Sequence, residues 1–533
     1  MDINMLTSLN DNIRIDKDKC TACGRCVEVC ILDNLRLQLS PCRQACPVGM
    51  NCQGYIHHLA QGKMDKGLEK VRETVPFGGI LGRVCSRPCE AMCNRIKVDQ
   101  QPVAIRDLKR YLSDQDGQPW TPPLTSERPQ KVAIVGAGPA GLTAAFYLRT
   151  WGFRVTLYDK ESAPGGLMRW AIPEFRLPQE VLKREISFLG GLGVEFEGNR
   201  TLGKDLELGK MEEEYHAVLL ALGAHGKTRL GIPGEEAPSV LPVLEFMKKV
   251  QDKKPPRVGE KVVVVGGGNA AVDAAQTALR LGAKKVHLVS LEKKGEMPAF
   301  PWSVVEAEEE GINIQNGWGP MEFRLDGRKL MGVSFKKCIA ACDSRGIFCP
   351  SYDDKTTMDL PAETVILAIG QKTEMGMLEP SVHGPAGIRC HPLTLQTSRE
   401  KIFSAGDFLR GPKTIVEAMA QGKEAAISIQ RLLEGEDLQY GRGNGAPYEL
   451  QFEPDYSRAK TRSRVAIPTV PTSQRKGFQE VARGYSREQA IAEAERCLNC
   501  GMPFGLRTCW FCLPCEIECP EEALYVEIPY LLR

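Results

Sequence analysis

The chain has 533 residues, of which 69 are Lys or Arg and 67 are Asp or Glu, so its formal net charge is only +2. This balance argues against a nucleic-acid partner, and no apolar stretch approaches the length of a membrane span. The first 14 residues lack the features of a signal peptide. We therefore expect a cytoplasmic protein, in which 20 cysteines indicate metal or redox sites rather than disulfides.

The first cysteine run lies in a predicted ferredoxin-like arm, residues 1–40. Its members are Cys20, Cys23, Cys26 and Cys30. The C-x2-C-x2-C-x3-C spacing is typical of [4Fe–4S] ligands, because short loops let three thiolates converge on three irons of one cube. Zinc is the alternative, but structural zinc favours two separated Cys-x-x-Cys pairs, so the spacing favours an iron–sulfur cluster.

A predicted α-helical iron–sulfur domain, residues 41–125, adds six cysteines at wider spacing. They are Cys42, Cys46, Cys52, Cys85, Cys89 and Cys93. We predict that these are cluster ligands too. Cys85, Cys89 and Cys93 form a set of three that lacks a fourth thiolate, for which Cys52 is the nearest candidate.

A strand predicted over residues 131–135 runs directly into a glycine-rich turn that contains Gly136, Gly138 and Gly141. In a Rossmann-like unit, these glycines allow a tight turn, close approach of a pyrophosphate and close packing of helix on strand. The next strand ends in Asp159, at about the spacing of 20 residues expected for an acid that binds a ribose diol. The pattern predicts a dinucleotide site.

A second unit of the same kind begins with a strand predicted over residues 261–265. Its turn holds Gly266, Gly268 and Asn269, and the third glycine position is taken by Ala271, which is allowed. Two such sites in one chain predict a bound flavin dinucleotide and an exchanging nicotinamide dinucleotide. One vestigial site is the alternative, but both turns keep the residues that the backbone requires.

The residues after the following strand bear on which nicotinamide nucleotide binds. Glu292 would accept hydrogen bonds from free ribose hydroxyls and repel a 2′-phosphate, which favours NAD(H) over NADP(H). Lys293 and Lys294 follow immediately and keep NADP(H) as the alternative. An ordinary solvated acid is the other interpretation of Glu292.

The predicted C-terminal ferredoxin-like domain, residues 481–533, carries the last six cysteines. They are Cys497, Cys500, Cys509, Cys512, Cys515 and Cys519. The last four have the ferredoxin spacing followed by a proline, so each complete run is predicted to surround one [4Fe–4S] cube. Ser486 and Gln489 predict a capping-box start for the helix that precedes these cysteines.

Six segments, taken together, point to one family. They are PCRQACP (41–47), GRVCSRPCE (82–90), PGGLMR (164–169), IPEFRLP (172–178), GIPG (231–234) and SAGD (404–407). On these residues the chain resembles the glutamate synthase small subunit family, which is shared with the N-terminal half of dihydropyrimidine dehydrogenase and the large subunit of electron-bifurcating transhydrogenases. The resemblance implies FAD in the first dinucleotide site and a nicotinamide nucleotide in the second.

The resemblance also implies further cofactor contacts. These are Gly166, Leu167, Arg169, Ala221, Gly223, Gly370, Gly406, Asp407 and Thr414. Asp407 is expected near the ribityl chain of the flavin, and the helix that starts at Thr414 is expected near its ring. No side chain is expected to act as a catalytic nucleophile, because protein groups position the rings and tune their potentials.

In these relatives one segment, Arg-Cys-x2-Cys-x4-Cys-x3-Cys-Pro, supplies a whole cluster, whereas here its halves lie at opposite ends of the chain. We predict that the C-terminal segment folds back over the helical domain, so that Cys42, Cys46, Cys497 and Cys500 hold one cube. The alternative is that Cys497 and Cys500 belong with the terminal run or bind no cluster. In dihydropyrimidine dehydrogenase a glutamine that aligns with Lys109 completes the other cluster, and a protonated lysine is a poor ligand.

The expected fold is a multidomain α/β protein with two Rossmann-like dinucleotide-binding domains, an α-helical iron–sulfur domain and ferredoxin-like segments at both termini. The FAD domain is predicted over 128–245 and 384–435, the NAD(P) domain over 246–383 and a linker over 436–480. The expected function is hydride exchange between nicotinamide and flavin, with single electrons passing through about four [4Fe–4S] clusters to or from a partner subunit or ferredoxin. A glutamate synthase small subunit proper and a non-catalytic electron-wiring subunit are the alternatives.

Overall fold

The computed structural model describes residues 12–31, 34–115, 120–379, 382–384, 387–442, 456, 459–505, 509 and 512–527. The chain divides into two units, which are described separately. The first comprises Met1–Pro122, Gln439–Pro468 and Gly484–Arg533, and the second comprises Pro123–Leu438 and Thr469–Arg483. Residues 1–11 of the predicted arm and 443–455 of the predicted linker lie outside the described residues.

The second unit contains two five-stranded parallel sheets. In the first sheet the strands lie in the order Ile402–Ser404, Ala217–Leu220, Lys131–Val135, Arg154–Tyr158 and Glu195–Glu197. In the second sheet the order is Asn313–Asn316, Lys285–Ser290, Lys261–Val265, Thr364–Leu367 and Val240–Pro242. After an exposed lysine at the start of each, the central strands Lys131–Val135 and Lys261–Val265 are apolar and buried, as parallel strands covered on both faces require.

Helices connect the strands of both sheets. They span Pro139–Thr150, Leu167–Trp170, Gln179–Gly191, Leu208–Glu214, Val243–Gln251, Asn269–Arg280, Pro301–Glu309, Asp407–Arg410 and Ile415–Glu434, with a 3₁₀ turn at Thr472–Gln474. A three-stranded antiparallel meander lies between the last two strands of the second sheet along the chain: Trp318–Asp326, Lys329–Cys342 and Phe348–Pro361. Two short antiparallel pairs complete the unit: Gly226–Lys227 with Gln371–Lys372, and His383–Gly384 with Gly387–Ile388.

The strand Lys261–Val265 shows how the second sheet is held between two cores. Val262 and Val264 pack on one face with helix residues that include Phe246, and all three are fully buried. Val263 and Val265 point to the opposite face and pack with Phe335 of the meander. Because successive side chains alternate between faces, this single strand anchors both layers and fixes the turn that follows it.

Several predicted elements match the structure closely. The strands predicted over 131–135 and 261–265 are found at those residues. The chain returns to the first sheet at Ile402–Ser404, after the second sheet is complete. One boundary differs: Val240–Pro242 pairs within the second sheet, whereas the sequence placed it in the first nucleotide-binding domain. The parallel sheets confirm the predicted Rossmann-type α/β fold.

The first unit is mostly helical. Its helices span Arg25–Glu28, Pro41–Gln44, Cys52–Ala60, Met64–Arg72, Gly78–Val84, Pro88–Ala91, Ile96–Asp99, Ile105–Asp114, Arg487–Ala494 and Pro514–Ile517. Its strands form two antiparallel pairs, Ile13–Ile15 with Leu524–Val526 and Leu35–Gln38 with Met502–Gly505. Each pair therefore joins a segment near the start of the chain to one near its end.

The C-terminal segment folds back against the helical domain, as predicted. Arg496 has no exposed surface; its guanidinium donates to the carbonyl oxygens of Pro102 and Gln101 and pairs with Asp99 and Glu493. The helix Arg487–Ala494, which precedes this arginine, begins with the predicted capping box between Ser486 and Gln489. No helix in the described part of the chain combines the length and apolar composition needed to cross a membrane.

Candidate functional site

The first glycine-rich turn has the geometry of a pyrophosphate cradle. A methyl group at Gly141 would lie 1.9 Å from the carbonyl oxygen of Gly136, so the helix can approach the turn only with glycine at this position. At Gly138, a methyl group would meet no atom of the described residues within 4 Å. The helix Pro139–Thr150 begins immediately afterwards and directs its free amide groups toward this open space.

A cavity lies at the carboxyl edge of the first sheet, and most of the cofactor residues predicted for FAD line it. These are Gly136, Gly138, Asp159, Gly166, Leu167, Ala221, Gly223, Gly406, Asp407 and Thr414. They come from four separated regions of sequence, 136–138, 159–167, 221–223 and 406–414, so the fold alone brings them together. Arg169 lies elsewhere: its Nε donates to the carbonyl oxygen of Pro164, 2.7 Å away, and the residue lines a separate cavity.

Asp159 is the acid predicted to bind a ribose diol, and the structure shows what else it does. One carboxylate oxygen accepts a hydrogen bond from the amide of Ala137 (2.7 Å) and the other accepts one from the amide of Glu161 (2.8 Å). Burial raises the pKa of Asp159, while these two amides lower it, and the net shift is upward. The carboxylate thus ties the glycine-rich turn to the loop after the second strand.

The far wall of the cavity comes from the late segment 406–418. Thr414 caps the long helix Ile415–Glu434 and forms a capping box with Glu417. Asp407 accepts a hydrogen bond from the amide of Lys413 at 3.0 Å, and burial raises the pKa of Asp407 to about 6. This helix packs along Pro139–Thr150, which explains why residues near 410 reach a site that begins at residue 136.

Sequence reasoning missed His225, which also lines the cavity. Burial lowers the pKa of His225 to about 4, and the charge of Lys160 adds to this effect, so its imidazole is neutral near pH 7. The residue stands two positions after Gly223, one of the predicted contacts. A histidine directly after a strand that ends at a nucleotide site was the available signal.

The second glycine-rich turn repeats the first at the edge of the second sheet. Gly266 adopts a left-handed backbone with φ +139°, and at Gly268 a methyl group would again meet no described atom within 4 Å. Ala271, in the helix that follows, is fully buried. Asn269 has a structural role, because its side-chain oxygen accepts a hydrogen bond from the amide of Phe300 at 3.0 Å. Gly370 has φ +92° after the strand Thr364–Leu367.

Glu292 lies directly against this second turn. A methyl group at Gly267 would be 2.3 Å from Glu292 Oε2, so the glycine makes room for the carboxylate. This oxygen is buried and finds no hydrogen-bond partner among the residues described. Lys293 and Lys294, which follow, are exposed. A buried carboxylate oxygen without a partner beside a nucleotide turn fits a ribose hydroxyl as its missing donor.

The ferredoxin-like segments at the two ends of the chain form one body. Cys26, Cys509 and Cys515 share a buried core with residues of the paired strands. A cavity beside this core is lined by Cys20, Cys23, Cys26 and Cys519, together with the loop residues between them. The fourth cysteine that lines this cavity is thus Cys519, which lies about 500 residues away from the other three along the sequence.

The electrostatic neighbours of the thiols show the same grouping. Burial raises the pKa of Cys26 to about 12, with smaller contributions from Cys23, Cys20 and Cys519. Burial likewise raises the pKa of Cys515 to about 11, and its thiol neighbours are those of Cys509, Cys30 and Cys512. The thiols therefore group across the two runs, with Cys519 beside the first run and Cys30 beside the last, whereas the sequence predicted that each run surrounds a cube by itself.

The helical domain also groups its cysteines differently from the predicted split cluster. Burial raises the pKa of Cys497 well above its usual value, and the thiols of Cys500, Cys42 and Cys93 add to this shift. Cys46 is not in this set. The thiols grouped with Cys497 and Cys500 therefore include Cys93, where the sequence predicted Cys46, and the ligand set of the cube itself stays a prediction.

Cys46 instead lies in a second buried group with Cys85 and Cys89. Lys109 is only 7% exposed; burial lowers its pKa, but the charges of Cys85, Cys89 and Cys46 outweigh this and the net shift is upward. Hydrogen bonds with Cys42 and Cys89 raise the pKa of Cys52, which is 2% exposed and lies between the two groups.

No three His, Cys, Asp or Glu side chains in the described ranges stand close enough to chelate a single metal ion. A [4Fe–4S] cube bonds each thiolate to a different iron, so its ligands are spaced more widely than those of one ion.

Comparison with known proteins identifies the larger part of the chain. Residues 130–422 match the pyridine nucleotide-disulphide oxidoreductase family. The chain belongs to this family. Residues 9–119 match a second family, described as dihydropyrimidine dehydrogenase domain II, 4Fe-4S cluster. Together the two matches confirm a flavin-dependent oxidoreductase that also carries a [4Fe–4S] domain.

Two relatives and one solved structure show what this chain is similar to. The NADP(+)-dependent formate dehydrogenase subunit beta of Moorella thermoacetica is 34% identical over 502 residues, covering 86% of this chain and 70% of that protein. The NAD-dependent dihydropyrimidine dehydrogenase subunit PreT of Escherichia coli O157:H7 is 33% identical over 409 residues, 74% of this chain and 92% of that one. The structure of FprA from Mycobacterium tuberculosis has a TM-score of 0.51 at 17% identity, covers 58% of this chain and 85% of that one, and shares the fold.

In this member of the pyridine nucleotide-disulphide oxidoreductase family, no cysteine is found among the described residues that line the first cavity. A disulphide reductase places a redox-active cysteine pair beside the flavin. Here there is no cysteine between Cys93 and Cys338, a stretch that contains the first turn and most of the lining of the first cavity. The chain has cysteine groups in its first unit instead.

Proposed function

We propose that this chain exchanges electrons between NAD(H) and [4Fe–4S] clusters by way of FAD, and through the clusters with a partner subunit or a ferredoxin. The observation that carries the proposal is the combination, in one chain, of two nucleotide turns with sixteen cysteines that cluster in the first unit. The absence of any cysteine between Cys93 and Cys338 supports it, because electrons then have no dithiol to reduce near the first cavity.

The chain's own residues would hold the dinucleotides as follows. The amides at the start of the helix Pro139–Thr150 would bind the pyrophosphate of FAD across the open face of Gly138. Asp407 and the capped start of the helix at Thr414 would border the flavin. His225, held neutral by burial, would line the FAD cavity with an uncharged imidazole. A bound FAD supplies the conversion between a hydride and single electrons, and no side chain acts as a nucleophile.

The sixteen clustered cysteines would hold about four [4Fe–4S] clusters, two in the helical domain and two in the ferredoxin-like segments. Lys109 would add a buried positive charge beside Cys46, Cys85 and Cys89. A cation at this place favours the reduced, more negative state of a bound cluster, because net charge is one of the terms that set the reduction potential.

The choice of NAD(H) rests on Glu292. Its buried Oε2 is available to a ribose hydroxyl, whereas a 2′-phosphate at the same place would meet a carboxylate. Relatives of both kinds exist, since one is described as NADP(+)-dependent and another as NAD-dependent. Lys293 and Lys294 are exposed and can turn to solvent, so they offset the carboxylate only in part.

The test is an anaerobic titration of the purified chain with NADH and, separately, with NADPH. We expect NADH to bleach the flavin absorbance and then the broad iron–sulfur absorbance, with NADPH effective only at higher concentration. A preference for NADPH contradicts the choice of nucleotide alone. No response to either nucleotide contradicts the enzyme and leaves a non-catalytic wiring subunit.

The partner is proposed from the relatives, which are described as subunits of larger enzymes. Affinity purification of the tagged chain from its own cells, followed by mass spectrometry, is expected to recover a second redox protein in fixed ratio to the bait. Recovery of the chain alone, with full NADH-dependent reduction of an added ferredoxin, would favour a soluble acceptor over a partner subunit.

A further inference from the structure

The two ferredoxin-like segments have the same internal order. Near the start of the chain, the strand Ile13–Ile15 is followed by three cysteines, the short helix Arg25–Glu28, Cys30 and the strand Leu35–Gln38. Near its end the same order recurs, and in both copies the third cysteine lies within the short helix: Met502–Gly505, Cys509, Cys512, Pro514–Ile517 with Cys515, Cys519 and Leu524–Val526. The chain thus contains two copies of one motif.

The two copies are paired in a crossed fashion. The first strand of the N-terminal copy pairs with the last strand of the C-terminal copy, in the register Ile13 with Val526 and Ile15 with Leu524. The last strand of the N-terminal copy pairs with the first strand of the C-terminal copy, Leu35 with Gly505. This arrangement relates the two copies by an approximate two-fold axis. A residue that one copy places beside the other copy therefore has an equivalent placed in the opposite direction.

Local details obey the same symmetry. The residues that precede the two short helices, Gly24 and Leu513, both have left-handed backbone, with φ +98° and +68°. The amide of Asn34 donates to Cys30 Sγ at 3.2 Å, and the amide of Ala523 donates to Cys519 Sγ at 3.3 Å. In both copies the fourth cysteine therefore accepts a hydrogen bond from the amide four residues later, which fixes the two thiols equivalently.

One of the two sites is visible as a cavity. It is lined by Cys20, Cys23 and Cys26 from the N-terminal copy and by Cys519 from the other. Pro520 and Glu521, which follow Cys519, line it too. Cys519 lies beside Cys20, Cys23 and Cys26. By the approximate symmetry, Cys30 occupies the equivalent position beside Cys509, Cys512 and Cys515.

We infer that the two ends of the chain form a single two-cluster module in which the fourth ligands are exchanged: Cys20, Cys23, Cys26 and Cys519 bind one [4Fe–4S] cube, and Cys509, Cys512, Cys515 and Cys30 bind the other. Exchange of this kind is known for paired ferredoxin runs within one short chain. Here nearly the whole protein lies between the two runs, so neither cube has a complete ligand set until the last residues are in place.

This inference deepens the proposed function and rests on it only in requiring that the cysteines bind cubes. The site lined by Cys519 lies next to the helical domain: Arg43 donates to the carbonyl oxygen of Ala22 at 3.1 Å, and Asn51 donates to that of Thr21 at 3.2 Å. In the other copy Cys512 is exposed. The module therefore has an inner cube site beside the helical domain and an outer one nearer solvent.

The experiment compares two double variants that share one substitution. In Cys20→Ala/Cys519→Ala, both changes fall on the same cube if the ligands are exchanged. In Cys509→Ala/Cys519→Ala, they fall on two cubes. We expect the second variant to lose or convert twice as many cubes as the first, up to about eight iron atoms against about four. Iron and acid-labile sulfide per flavin, together with the EPR spectrum after dithionite reduction, give the count without any activity assay.

The opposite order, with the greater loss in Cys20→Ala/Cys519→Ala, would show that each run serves its own cube and would overturn the inference. If the Cys519 variants do not fold, judged by flavin content and gel filtration, the pair Cys509→Ala/Cys30→Ala and Cys20→Ala/Cys30→Ala asks the same question from the other site. Wild-type protein without iron and sulfide contradicts the proposed function itself, whereas normal wild-type iron with the reversed order contradicts only the exchange.

Discussion

The two nucleotide-binding turns have the same backbone arrangement but differ in the hydrogen bonds of their carboxylates, Asp159 and Glu292. Both turns follow a central parallel strand, and both leave the second glycine facing open space. In the first turn, Asp159 uses both carboxylate oxygens to hold backbone amides of the protein. In the second turn, Glu292 keeps one buried oxygen that has no partner among the described residues. The protein thus completes the first site by itself and leaves hydrogen-bonding capacity in the second.

This difference suggests how each site is used. The first cavity draws its walls from several separated stretches of sequence, and its acid Asp159 is already paired with two amides, so it needs little rearrangement around a dinucleotide and we expect it to retain FAD. A site with an unsatisfied carboxylate gains a hydrogen bond each time a ribose arrives and loses it each time the ribose leaves, which suits a nucleotide that exchanges.

The largest effect is expected at the packing position of the first turn. In Gly141→Ala the new methyl group would lie 1.9 Å from the carbonyl oxygen of Gly136, so the helix must move away from the turn. We expect loss of bound FAD and a decrease in the free energy of unfolding of about 3 kcal/mol. Flavin absorbance after purification and denaturant unfolding measure the two effects.

The matched control is the equivalent position of the second turn. Ala271 already carries a methyl group there and is fully buried, so Ala271→Gly is expected to retain FAD and to lose only about 1 kcal/mol. Full flavin content in Gly141→Ala would mean that the first turn tolerates a methyl group at this position as the second turn does, and would contradict the prediction.

A smaller effect is expected at the carboxylate of the second turn. Glu292→Gln removes the charge that repels a 2′-phosphate and weakens the hydrogen bonds to free ribose hydroxyls. We expect the ratio of the dissociation constants for NADPH and NADH to fall by about tenfold. Titration of each nucleotide against flavin bleaching gives both constants, and Glu296→Gln, which changes an acid four residues later, is the control. An unchanged ratio would place the discrimination in other residues.

The smallest effect concerns Asp407 and the pH dependence of stability. Burial raises the pKa of Asp407 from 3.8 to about 6, so the folded protein binds this proton more tightly than the unfolded chain does. Stability of the flavin-free protein therefore falls as pH rises from about 4 to about 6, and the loss is complete above that range. Asp407→Asn is expected to raise the melting temperature near pH 7 and leave it nearly unchanged near pH 4.

Thermal melts of the flavin-free protein at both pH values test this expectation. Asp252→Asn, at an exposed position, is the control and is expected to change neither. A variant of Asp407 that gains no stability near pH 7 would show that the buried carboxylate is satisfied in the folded protein.

Local sequence determined the parts of this protein whose geometry is local. The strands 131–135 and 261–265 and the turns after them were predicted because a glycine turn between strand and helix needs particular residues at fixed offsets. The capping box at Ser486 was predicted for the same reason, since its two partners are three residues apart. Even the fold-back of the C-terminal segment followed from counting half-motifs at the two ends.

Only the tertiary structure decided which cysteines share a site. The runs from Cys20 to Cys30 and from Cys509 to Cys519 have the same spacing whether or not they exchange their fourth members. The same holds for Cys46 and Cys93: Cys93 lies near Cys497, and Cys46 lies near Lys109 with Cys85 and Cys89, neighbours that no spacing along the sequence predicts. A cube needs four thiolates at its corners and is indifferent to the chain between them, so the grouping depends on how distant segments pack and not on any spacing along the sequence.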